Sequence, residues 1–133
     1  MAAISVKVDL TPASWLEHKP DDYASKALET ALKKVSTAKD NLPKSVTDTL
    51  SGLKAAIKLM EEFVAAAEAT ASAGSATRSE LLKEKAKIEK AAEKEKDKDA
   101  RHALDKKAFA YGGAAEYIVV LGDRLSKAVA SVK

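Results

Sequence analysis

The chain has 133 residues, with 23 Lys and Arg against 20 Asp and Glu for a net charge of +3, and contains no Cys. These values describe one domain over residues 1–133, a 1–20 arm with a short pre-helix followed by a 21–133 bundle, and they exclude disulfides, thiol nucleophiles and thiolate metal sites. The charges also form no basic patch for nucleic-acid binding, because almost every Lys has a carboxylate within one helical turn and phosphate contacts need cations free of such competition.

The core is expected to be thin. Ala supplies 27 of the hydrophobic residues, and an Ala methyl removes much less apolar area from water than a Leu side chain. Helix propensity and burial against another chain are therefore expected to carry part of the stability.

In chain order, Ile4, Val6, Val8 and Leu10 alternate with Ser5, Lys7 and Asp9, the period of a strand. No other segment offers it a partner, so it either pairs with a second copy or another protein's sheet edge, or lies on the bundle as an extended arm. Thr11-Pro12 opens one or two helical turns carrying Trp15 and Leu16, and Pro20 closes them. Trp15 reads as a lid over one end of the core.

A helix is predicted over 22–39, with a stripe at Ala24, Leu28, Ala31, Val35, Ala38 and Leu42, and Asn41-Leu42-Pro43 turns the chain. A second helix is predicted over 45–72, capped by Ser45, with Val46, Leu50, Leu53, Ile57, Met60, Val64, Ala67 and Ala71 at the 4-3 spacing of a coiled-coil seam. Ala73-Gly74-Ser75 is expected to stop it. Thr77 and Glu80 then form a capping box for a third helix, whose text becomes almost wholly charged from Glu93 to Arg101. The seam does not continue through that stretch. A break is expected near Asp97 to Asp99, with Asp99 as the cap of the last helix.

The last helix carries a stripe at Leu104, Ala108, Tyr111, Ala115, Ile118, Gly122, Leu125, Val129 and Val132. Between Ala108 and Gly122 its only charge is Glu116, so it lacks the polar face of a bundle helix. Ile118, Val119, Val120 and Leu121 point in four directions, which implies enclosure on nearly all sides, one of them by another chain. Two glycines inside a helix each cost about 1 kcal/mol relative to Ala, yet the stripe passes in register through Gly112-Gly113. Ala108, Gly112, Ala115 and Val119 align as a small-residue groove. The expected interface comprises Ile4, Val6 and Val8 on the arm and Phe109, Gly112, Tyr117, Val119 and Val120 on the last helix.

Catalytic, cofactor-binding and metal-ligating residues are not expected. His18 and His102 are too far apart in sequence to form a helical His pair. Asp99 and Asp105, flanking His102, lie on different sides of their helix, and no Gly-rich phosphate loop appears.

The expected fold is all-α, an antiparallel three- to four-helix bundle with coiled-coil-like packing. The expected function is that of a non-catalytic, homo-oligomeric interaction protein: an adaptor, small chaperone or assembly component. One rival is an amphipathic protein coating a lipid surface or granule, against which Asp48, Glu61, Glu62 and Glu68 stand opposed to Lys54 and Lys58 on the second helix. The other is a small-molecule binder or enzyme with a pocket near Trp15 and Tyr111. Alternating charge at the N-terminus does not fit a signal peptide, and no run of residues reaches the length of a membrane span, so a cytoplasmic protein is expected, with leaderless export leaving no mark.

Overall fold

The computed structural model describes Val6, residues 8–43 and residues 49–132, and these are helical apart from the arm and short connections. Four helices follow in order: α1 Pro12–His18, α2 Lys26–Asp40, α3 Leu50–Lys94 and α4 Lys98–Val132. Helices α3 and α4 form a long antiparallel hairpin, about 67 and 52 Å at 1.5 Å per residue. Gly74 lies beside Ile118, and Lys85 beside Gly112. On a second side of α3, α2 runs antiparallel to it, as shown by the bonds Ser25 to Thr77 (2.8 Å) and Thr70 Oγ1 to the Ala31 carbonyl (3.1 Å). Helix α1 packs against both α2 and α4 and closes the bundle between them.

The expected strand does not form among the described residues. Val6 and Val8 instead pack half-buried against the core, and Leu10 is fully inside it. Backbone carbonyls of this arm are taken by α2: Lys39 Nζ donates to Val8 and Ser36 Oγ donates to Leu10 (2.6 Å). Polar side chains of one helix thus satisfy groups that a ladder would otherwise have paired. Ile4, Ser45 and Val46 lie outside the described residues.

At the start of α1, Pro12 occupies the first helical position, where its missing N–H is no loss. The Asp9 carboxylate accepts from Thr11 N (3.0 Å), Thr11 Oγ1 (2.9 Å) and Ser14 Oγ (3.2 Å), bonds that hold its carboxyl below the ordinary range. Asp9, rather than Thr11, therefore organises this turn. Helix α2 begins later than its sequence suggests, capped by Ser25 on Leu28 N. The expected stripe holds at Leu28 and Val35 on α2 and at Leu42 just beyond it, with Leu32 joining it; Ala31 and Ala38 are half-buried, and Ala24, ahead of the helix, is exposed.

Helix α3 differs from expectation in its length, in the role of Thr77 and in its buried face. The helix does not stop at Ala73-Gly74-Ser75 but continues without interruption to Lys94. Gly74 is needed for approach, not termination, since a Cβ there would lie 3.3 Å from Ile118 Cγ2. Thr77 is no cap: it is buried in mid-helix and bonded to Ser25.

The buried face of α3 is also rotated from the expected seam. The buried positions are Ala56, Phe63, Ala67, Thr70, Gly74, Thr77, Leu81, Ile88 and Ala92, while Leu50, Leu53, Ile57 and Ala71 are exposed. Phe63 drives this rotation, because a fully buried aromatic ring outweighs several alanines. Thr70 and Thr77 can enter the core because their hydroxyls bond to the Ala66 and Ala31 carbonyls and to Ser25.

The break between α3 and α4 falls at residues 95–97, with Asp97 as the capping residue. Its carboxylate accepts from Ala100 N at 3.4 Å, and Asp99 sits in the first turn of α4 instead. The stripe expected on α4 is buried or half-buried along its whole length.

Candidate functional site

The apolar arc of α3 is wider than its two neighbours can cover. Helix α2 takes the side of Thr70 and Thr77, and α4 takes that of Ala67 and Gly74. Beyond α4 the arc continues through Ile57, Val64, Ala71 and Ser75 to Arg78, along one line of the helix surface. On α4 the facing line runs through Val119, Gly122 and Ser126. Together they border a groove along the back of the hairpin, on the side away from α2.

One part of this groove, a cavity of about 390 Å³, is lined by Ala71, Gly74, Ser75, Arg78, Val119 and Gly122 among others. It continues past Ala71, Gly122 and Ser126 to Glu68 and Val129. At the far end, Val132 of α4 meets Ile57, Met60, Glu61 and Val64 of α3. The first turns of α3 reach past the end of α4, leaving Leu50 69% exposed.

Charge is distributed unevenly along this groove. Glu61 and Glu68 lie toward the α3 N-terminus and Arg78 toward its middle. None of the three has an ion-pair partner among the described residues, where the pairs formed are Lys85 with Glu89, Lys87 with Glu84, Lys107 with Asp22 and Lys127 with Asp123.

The expected interface residues do not come together. Ile4 lies outside the described residues, and Val6 and Val8 pack against their own core. Tyr117 is buried, with its ring stacked on His18 at 4.0 Å and near Trp15 at 6.4 Å between centroids. It serves the attachment of α1 and is not free for another chain. Gly112 is half-buried, and the space above it is filled by the aliphatic stem of Lys85, whose Cε would lie 3.3 Å from a Cβ.

Phe109 (82% exposed), Val119 (56%) and Val120 (47%) do remain open. They fall on two surfaces. Val119 faces the groove, whereas Phe109 and Val120 share the outer face of α4, with Gly113 and Glu116 between them. Helix α4 is thus not enclosed on nearly all sides within one chain, and α3, not α4, is the central helix.

Around Trp15 and Tyr111 the molecule is closed. Trp15 is fully buried, and its indole N–H has no hydrogen-bond partner among the described residues. Tyr111 donates to Asp22 Oδ1 (3.1 Å), whose other oxygen meets Lys107 Nζ at 2.7 Å. The Lys107 bond, reinforced by Tyr111, holds the Asp22 carboxyl below its usual range, while burial and the neighbouring carboxylate push the Tyr111 hydroxyl up. Tyr23 donates to Glu80 Oε2 at 2.8 Å, and its hydroxyl too is pushed up, first by burial and then by that bond. These contacts tie the α1–α2 connection to both long helices.

Among the described residues no three His, Asp or Glu side chains converge as a metal site, and no helix is long and apolar enough to cross a membrane. The residues of the open arc have the 4-3 spacing expected of a core seam, yet most of them lie outside the core. The signal that could have placed them outside was the run Phe63, Ala67, Thr70, Gly74, Thr77, Leu81, which has the same spacing once Thr is admitted to the core. Comparison with protein-family models, curated proteins and solved structures finds no match for this chain.

Proposed function

We propose that this chain is a non-catalytic interaction module that acts as a homo-oligomer, serving as an adaptor, small chaperone or assembly component. The observation that supports this reading is the open apolar surface on so small a bundle: Leu53, Ile57, Leu82, Phe109, Val119 and Val120 are all exposed. Several of these side chains are aligned along one groove rather than scattered, and aligned exposure of this kind marks an interaction surface. Covering such a surface supplies the apolar burial that an alanine-rich core lacks.

Multi-angle light scattering tests the proposal directly. The expected result is a mass of at least two chains at tens of micromolar protein. A wild-type monomer at that concentration overturns the proposal.

A further inference from the structure

The groove behind the α3–α4 hairpin has a length, a polarity and a chemistry, and together these select an occupant. Its floor is apolar and lined by small residues. Its charged side chains are acidic toward one end and cationic toward the middle, with neither sign neutralised among the described residues. An occupant running in the opposite direction with the same charge order would neutralise both. The α3 helix of another copy has that order.

Resting on the self-association proposed above, we infer that a second copy of this chain docks its hairpin antiparallel into this groove, about a twofold axis at the level of Ala73. The register follows from charge. Setting Arg78 opposite Glu68 of the partner subunit places the axis midway between them and, by symmetry, forms the same pair twice. In that register Leu82 lies opposite the partner's Val64, and Ser75 opposite the partner's Ala71, so near the axis the groups of α3 that face each other are small or apolar, while Ile57 falls opposite the partner's Glu89. Because Gly74 sits against Ile118, the same level on α4 is that of Val119. Val119, 56% exposed toward the groove, therefore meets its own counterpart on the axis. Gly122, with nothing within 4 Å of where its Cβ would be, leaves room for the two α4 helices to approach. The assembly is a four-helix bundle built from two hairpins, α3 against α3 and α4 against α4, with α2 and α1 on the outside of each.

The chain lacks cysteine, so a single introduced thiol reports on one position. Val119→Cys is expected to be joined into a covalent dimer by a short bis-maleimide, while Val120→Cys, about 100° around the helix, is not. Arg78→Glu and Glu68→Arg, both at exposed positions, should each weaken the dimer by more than about tenfold in Kd, since like charges then oppose each other twice. Combining the two substitutions should restore it. Circular dichroism confirms that each variant keeps its helicity, and sedimentation equilibrium reads the Kd.

A wild-type dimer that is indifferent to both charge reversals, or that crosslinks through Val120→Cys in preference to Val119→Cys, overturns this docking mode while leaving self-association standing. A monomeric wild type overturns both, as does a groove that instead takes up a foreign helix with the chain itself monomeric.

Discussion

Two arcs of α3 have nearly the same texture and opposite fates. One, through Phe63, Thr70, Thr77 and Leu81, is buried under α2 and α4; the other, through Leu53, Ile57, Val64 and Ala71, borders an open groove or solvent. By hydrophobicity alone the second is the better stripe, since the first contains two threonines. The difference shows that burial is decided by the largest side chain and by where hydroxyls find acceptors, not by an average of apolar content. Thr70 bonds within its own helix and across to Ala31, and Thr77 is matched to Ser25, so neither leaves an unsatisfied group inside.

The sharpest way to break this contrast is to truncate one large residue on each arc. Phe63→Ala is expected to lower the unfolding free energy by about 3–5 kcal/mol, the range for removing a buried aromatic ring and leaving a cavity. Ile57→Ala, at a half-exposed site beside the end of α4, should stay within about 0.5 kcal/mol. Chemical denaturation read by circular dichroism compares them at equal protein concentration. Equal losses at the two sites would show that the second arc is buried in the same folding unit.

Glycines give a smaller effect of opposite sign on the two surfaces. At Gly74 even a Cβ would press on Ile118 at 3.3 Å, so Gly74→Leu should destabilise by about 1–3 kcal/mol through overpacking. Gly113 has nothing within 4 Å of the same position. Gly113→Ala should therefore stabilise by up to about 1 kcal/mol through helix propensity alone. Thermal melts of the two variants check the signs. A stabilising Gly74→Leu would mean that α3 and α4 are not held as close as Ile118 requires.

The smallest expected effect is the acid response of the covered side. Asp9 and Asp22 both hold carboxyls below the ordinary value, Asp9 through its bonds from Thr11 and Asp22 through Lys107 and Tyr111. A carboxylate depressed in the folded state contributes stability that is fully present above its unfolded value, about 3.9, and is lost as pH falls through the folded one. Melting temperature should therefore be insensitive to these groups near neutrality and fall below about pH 4. Asp22→Asn should flatten part of that fall. Both carboxylates are exposed, so screening keeps the contribution small.

Much of this molecule was legible in the order of its residues. The helical class, most of the α2 stripe, the α4 stripe and the break before α4 follow from local spacing and end signals, whereas the enclosure that spacing implies around Phe109, Val119 and Val120 is not supplied within the chain. Local signals mislead where one side chain has two possible uses. Ala73-Gly74-Ser75 reads as a stop because glycine is free to leave a helix, yet here it allows Ile118 to approach. Thr77 reads as a cap because threonine often is one, yet here its hydroxyl meets Ser25 from another helix.

Residue order alone dictates several amphipathic helices that carry more apolar surface than a thin bundle can cover. Which arc of α3 is covered was decided only in three dimensions, where Phe63, the two threonines and Gly74 had to fit against particular residues of α2 and α4. The same holds for Tyr117 and the N-terminal arm: apolar periodicity predicts that they seek burial, but not that α1 and α2 of their own chain supply it. Periodicity measures how much surface a helix must hide. The shapes and hydrogen-bond partners of the neighbouring helices decide which part of that surface is hidden within the chain.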